Sequence, residues 1–191
     1  MERTNRRALI VQTAATLFLE RGYPGTSVRQ IADAAGMTEA ALYYHFRQGK
    51  RELFQAAMDV IAPDFKAVLE DCEQAETLTE FVQRFAQGTL PHLDAGGVRM
   101  RWLITQMQIL NADERQIVFD RVHSFQQGIA NRLERFVVDA KRANQIAWTM
   151  LISAFGYSYL FGALQMDGSL FTAFELVELL LPALERPTKN T

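Results

Sequence analysis

The stretch TSVRQIADAAGMTEAALYYHF, Thr26 to Phe46, decides how the rest of the chain is read. Thr26 or Ser27 can cap a first short helix, whose inward side is Val28, Ile31, Ala32 and Ala35 at helical spacing. Gly36 follows the last of these positions, where a left-handed turn suits glycine, and Thr38 can cap a second helix of about two turns. Two short helices joined by a tight glycine turn, the second rich in polar and aromatic side chains, are what a helix-turn-helix requires, and they point to duplex DNA. The competing reading is an ordinary helical hairpin with its tyrosines in the core. It uses Leu42, Ala40 or Ala41, and Phe46, but leaves Thr38, Glu39, Tyr43, Tyr44 and His45 without a purpose. A phosphate backbone would employ those tyrosines and the histidine as donors.

The chain has 191 residues, 49% of them hydrophobic, enough to build a core without disulfides or metals. A single cysteine, Cys72, cannot form an internal disulfide, and a reducing, cytoplasmic setting is expected. Polar residues Gln12, Thr13 and Thr16 interrupt the run from Leu9 to Leu19, which reads as an amphipathic helix of the mature protein rather than a signal peptide. The net charge of −2 hides an asymmetry: residues 1–51 carry +4 and the remainder −6. A basic head on an acidic body is expected where one domain touches phosphates.

Outward from the central stretch, Arg6 to Arg21 reads as a helix with Ile10, Ala14, Leu17 and Phe18 on one face, closed by Gly22 and Pro24. Leu53, Phe54, Ala57, Val60 and Ile61 form the stripe of the helix that leaves the head. Pro63 is expected to kink or break that helix, making it the mechanical link to the body. A further helix starts at Glu76–Glu80 and is expected to end at Gly88 and Pro91, with a loop from His92 to Gly97. Met100, Leu103, Ile104 and Met107 mark the next helix. Glu114 to Arg142 then reads as one long strut. From Ala143 to Met166 no residue is charged, Asp167-Gly168-Ser169 turns the chain, and Phe171 to Leu184 returns. A membrane span is disfavoured, because Asn144, Gln145, Thr149, Ser153, Ser158 and Gln165 interrupt the apolar run and no basic cluster flanks it. Burial on both sides, by the body and by a second subunit, accounts better for this helix pair. Gly156 and Gly162 would allow close approach in a symmetric four-helix interface.

Ala14, Ala15, Leu17 and Phe18, Gly22-Tyr23, Thr26-Ser27-Val28, Ile31-Ala32, Ala35-Gly36, Leu42 to Phe46, and then Lys50, Glu52 and Leu53 closely resemble the DNA-binding domain of the TetR family of bacterial transcriptional regulators. The resemblance covers roughly residues 6–58; beyond that it is one of architecture. It implies an all-α fold: a three-helix helix-turn-helix domain over residues 1–50, then an antiparallel helical effector-binding and dimerisation domain over 51–191. It also implies a homodimer, paired through the two C-terminal helices, that sets one recognition helix per subunit into a palindromic operator and is released by a small molecule. On the family pattern Thr38, Glu39, Ala40 and Ala41 lie at or near base edges, and Tyr43, Tyr44 and His45 meet the backbone or groove wall. Lys50 and one of Thr26, Ser27 or Arg29 meet phosphate. Two departures stand out. Glu39 occupies a position where a neutral or basic side chain is more usual, so it either specifies cytosine or faces away. The loop from Phe46 to Leu53 is one residue longer than the commonest form, leaving the phosphate contact open among Arg47, Lys50 and Arg51.

Inside the body, the candidates to line an effector pocket are Phe81, Phe85, Trp102, Met107, Phe119, His123, Phe125, Phe155 and Tyr159, each of which also fits plain core packing. Trp102, His123 and Tyr159 carry polar atoms that could orient a ligand, and the Met and Phe content favours an apolar or aromatic effector. The alternatives are a regulator without a ligand, and an activator rather than a repressor. No metal or cofactor is expected, His92 and His123 being far apart in sequence, and Cys72, with no basic helper nearby, reads as a packing residue and not a nucleophile. No constellation supports an enzyme.

Overall fold

The computed structural model describes residues 2–61, 65–94, 98–167 and 172–185. These are helices joined by turns, an all-α fold. The helices are α1 (Glu2–Arg21), α2 (Val28–Ala34), α3 (Glu39–His45), α4 (Lys50–Ile61), α5 (Phe65–Cys72), α6 (Leu78–Asp94), α7 (Val98–Met107), α8 (Ala112–Leu133), α9 (Ala140–Tyr157) and α10 (Ala173–Glu185). They sort into two compact units. Met1–Asp64 with Trp102–Phe119 forms the first, and Phe65–Arg101 with Asp120–Thr191 the second.

In the first unit, α1 packs along α4, and α2 and α3 pack on each other. Ile10, Ala14, Phe18, Ile31, Leu42, Phe46, Leu53 and Phe54 have no exposed surface. The rings of Phe18, Tyr23 and Phe54 meet with centroids 4.6 to 5.9 Å apart. The end of α1 is sealed by partners far along the chain: Trp102 Nε1 donates to the Phe18 carbonyl at 2.7 Å, and Gln106 Oε1 accepts from the Tyr23 amide at 2.8 Å. Helix ends therefore find buried partners instead of being left unsatisfied.

The second unit has its own core, with Phe81, Ile129, Leu133, Ala143, Ile146 and Leu151 almost wholly buried. Two expectations are corrected here. Helix α6 does not stop at Gly88 and Pro91 but runs to Asp94. Gly88 serves close packing, since a Cβ there would lie 2.9 Å from the Val68 side chain of α5. Nor is Glu114–Arg142 one strut. Helix α8 ends at Leu133, a 3-10 turn covers Glu134–Phe136, Val137 is extended, and Asp139 caps α9 by accepting from the Arg142 amide at 2.7 Å. The break puts Arg135 where its guanidinium donates to the carbonyls of Cys72 and Ala75, just past the end of α5. Helix α9, in turn, gives way at Ser158–Ala163 to a π-helical turn. It buries Ala143, Ile146, Ala147, Met150 and Leu151 and leaves Trp148 and Ile152 exposed, so the described residues do not cover its surface all round.

Pro63, Gly168 and Ser169 lie outside the described residues, as do the last three positions of the expected loop 92–97. No described helix is long and apolar enough to cross a membrane.

Candidate nucleic-acid interface

Ser27 builds the start of α2: its hydroxyl accepts from the Gln30 amide at 3.1 Å while the Gln30 side chain accepts from the Ser27 amide at 2.7 Å, a reciprocal capping box. Gly36 turns the chain with φ +68°, a conformation that strains residues with a Cβ. Thr38 then caps α3, accepting from the Ala41 amide at 3.2 Å. Leu42 and Phe46 point inward and are fully buried, which fixes the rotation of α3. That rotation turns Thr38, Glu39, Ala40 and Ala41 outward, with Tyr43 44% and Tyr44 62% exposed and His45 half-buried beside them. The Tyr44 and His45 rings meet edge to face at 5.4 Å. One helix face thus offers a hydroxyl, a carboxylate, two methyl groups and two phenols to a partner.

The remaining predicted contacts are placed unevenly. Ser27 and Arg29 are exposed at the start of α2, and Arg29 pairs loosely with Asp33 at 3.9 Å, an ion pair too solvated to hold the guanidinium back. Thr26 is buried. Its hydroxyl donates to the carbonyls of Gly22 and Leu17 at 2.9 and 3.1 Å, so it closes the end of α1 and has nothing to offer a phosphate. Lys50 is half-buried with its ammonium 4.1 Å from the centre of the Tyr23 ring. Burial holds its pKa below the ordinary lysine value, against the opposing charge of Glu114. Burial also drives the Tyr23 phenol well above its usual range, helped by its hydrogen bond to Glu114 and that residue's charge. The Lys50, Tyr23 and Glu114 cluster was not legible in sequence.

The residues expected around an effector are not gathered at one place. Trp102, Met107 and Phe119 belong to the first unit, where Trp102 is bonded to Phe18, Met107 packs on the core and Phe119 is half-exposed. Phe81, Phe85, Phe125 and Phe155 belong to the second unit's core, and Phe125 stacks between Phe65 at 4.2 Å and Phe85 at 6.1 Å. His123 and Tyr159 are exposed. A cavity of about 40 Å³ does open in the second unit, lined by Phe85 together with Val82, Met150, Ser153, Tyr157 and Leu180 among others. Of the expected residues only Phe85 reaches it; apart from Thr89, Ser153 and Tyr157 the rest of its lining is aliphatic and looks in sequence like any helix interior. Among the described residues no cluster of His, Cys, Asp or Glu could hold a metal.

A capped two-helix motif with an outward polar face, clamped on a third helix, defines the class: a helix-turn-helix protein. The family model described as bacterial regulatory proteins, tetR family, matches residues 10–57. The HTH-type transcriptional repressor KstR2 of Rhodococcus jostii (strain RHA1) is 52% identical over 44 residues, 23% of this chain and 22% of that protein. The stretches shared with the first curated relatives span between 22% and 38% of those proteins. The crystal structure of a TetR-family transcriptional regulator from Rhodococcus sp. superposes with a TM-score of 0.72 at 19% identity, covering 96% of this chain and 100% of that one. That of AibR in complex with isovaleryl coenzyme A and operator DNA does so with a TM-score of 0.61 at 21% identity, covering 95% and 99%. Residues 10–57 are thus similar to the helix-turn-helix domain of the tetR family of bacterial regulatory proteins.

Proposed function

We propose that the protein is a dimeric transcriptional repressor that reads a palindromic operator with α3 and releases it on binding a small apolar or aromatic effector. The observation that carries the reading is the outward face of α3, with Thr38, Glu39, Ala40, Ala41, Tyr43 and Tyr44 displayed over the buried anchors Leu42 and Phe46. Ser27 and Arg29, exposed at the start of α2, suit the flanking backbone. Residues 1–50 serve DNA and residues 51–191 serve effector and partner. In the second unit Trp148, Ile152 and Tyr159 expose apolar surface at intervals of four and seven residues, and a Cβ on Gly156 would meet nothing within 4 Å. Such a stripe supports pairing with a second copy. The solved AibR, which carries operator DNA and an acyl coenzyme A, supports the combination of roles. An effector that shifts the population of dimers toward another spacing of the two α3 helices would spoil their entry into grooves about 34 Å apart.

A ligand-independent regulator is the second reading, favoured by the small volume of this cavity among the described residues, about 40 Å³ against the several hundred of an ordinary ligand site. Titrating the protein against DNA upstream of its own gene and a length-matched control tests the main reading. Salt-sensitive, selective binding at two or four subunits per site is expected; equal weak binding to both duplexes would sink it. Trp148→Asp places a charge within the exposed stripe, and sedimentation is expected to show monomers at concentrations where the parent is dimeric. A dimer that survives this change would put the interface elsewhere.

A further inference from the structure

The three cations that follow α3 are in unlike situations. Lys50, the first residue of α4, has its ammonium over the Tyr23 ring, and the Tyr23 phenol in turn bonds Glu114. Arg51 reaches back to the Gln48 side chain at 3.4 Å. Arg47 is exposed, and the structure gives its guanidinium no partner among the described residues. It directly follows Phe46, the C-cap of α3, three residues beyond the exposed Tyr44 of the recognition helix.

We propose that Arg47, not Lys50, is the residue of this loop that grips the DNA backbone, and that Lys50 is a positioning residue holding the first turn of α4 against Tyr23. The inference rests on the reading that α3 enters a DNA groove. A lysine that must leave an aromatic face and a nearby carboxylate before it meets a phosphate gives up one set of favourable contacts for another. An exposed guanidinium gives up only water, and its planar fork matches phosphate oxygens two at a time. The turn itself delivers this arrangement. Gly49 adopts φ +61°, and a Cβ there would stand 3.0 Å from the Tyr43 ring, so the chain folds tightly under Tyr43 and brings Lys50 to the head of α4. The downward pKa of Lys50, caused by burial, agrees with its half-buried place over the ring.

The test is the salt dependence of binding by the full chain to its upstream DNA, with a mixed-sequence duplex of the same length alongside. Each phosphate contact contributes about 0.9 to the slope of log affinity against log salt. Arg47→Gln is expected to flatten that slope by about 1.8 per dimer on both duplexes, with an unchanged melting temperature. Lys50→Met is expected to keep the parent slope and melt earlier, and Lys50→Arg, which restores a cation over the ring, to recover the melting temperature. A flattened slope in Lys50→Met with none in Arg47→Gln overturns the assignment, as does an unchanged slope in both. If the parent protein itself shows no salt-sensitive preference for upstream DNA, the failure belongs to the DNA-binding reading, and the assignment falls with it.

Discussion

Phe54→Ala is expected to lose about 3–5 kcal/mol of stability in the first unit and, with it, all selective DNA binding. Phe54 has no exposed surface, and its ring lies against both Phe18 and Tyr23, at 5.9 and 4.6 Å. Those two rings sit at the end of α1, where the Trp102 and Gln106 side chains satisfy the backbone. Removing the ring leaves a cavity bounded on several sides by helices that cannot all close in. A domain is stable by only about 5–15 kcal/mol, so a loss of this size removes a large share of the margin. The two tryptophans allow the site of the loss to be read: Trp102 is buried in the first unit, whereas Trp148 is partly exposed in the second. In a Trp148→Phe background, Trp102 emission in urea is expected to shift its midpoint downward by about 2 M on a slope of about 1–3 kcal/mol per M. Phe54→Leu, which keeps most of the volume, is expected to lose less than about 1.5 kcal/mol and to retain binding. An unmoved Trp102 transition in Phe54→Ala would show that this ring cluster does not hold the unit together.

The head was legible because each of its boundaries is written in a residue with one physical use. Ser27 and Thr38 cap, Gly22 and Gly36 take positive φ, and Leu42 and Phe46 fix the rotation of α3. The body was less legible because apolar spacing does not mark where a helix stops. The period of Ile129 and Leu133 runs on into Phe136 and Val137, and only the cap Asp139 marks the restart. Gly88 misled in the other direction: it permits close packing on Val68, a use as common for a mid-helix glycine as ending the helix. Aromatic side chains in a helical body mostly report core and do not mark an effector site. Trp102 illustrates the limit, since its indole bonds a carbonyl 84 positions earlier, a pairing that tertiary structure alone creates. Where the polar atoms of Thr26 and Lys50 lie was hidden for the same reason: burial and a ring contact with sequence-distant partners decide it.

Glu39→Gln is expected to change the base that each half-site requires from cytosine to adenine. Glu39 opens α3 directly after its cap, is exposed, and has no partner for its carboxylate among the described residues. The first turn of such a helix is the part that meets base edges. A carboxylate only accepts, and the major groove offers it two donors, the amino groups of cytosine and adenine. Beside the adenine amino group stands N7, an acceptor that repels the second carboxylate oxygen; cytosine has no such neighbour. Cytosine is therefore the base that compensates for bringing a negative charge between phosphates. The amide of glutamine carries one donor and one acceptor and matches the adenine N6 and N7 pair. At about 1–3 kcal/mol per half-site, the two halves of a palindrome together give about 2–6 kcal/mol, a preference of roughly 30-fold to above 10⁴-fold. Selection from a randomised duplex pool is expected to return cytosine at one position of each half-site for the parent, adenine there for Glu39→Gln, and neither for Glu39→Ala, with the other positions unaltered. Affinity for random duplex is expected to rise in both variants, because each removes a negative charge from the phosphate-facing surface. Retention of the parent base by Glu39→Ala would mean that Glu39 faces away from the groove, and the reading of α3 would then rest on Thr38, Ala40, Ala41 and the tyrosines alone.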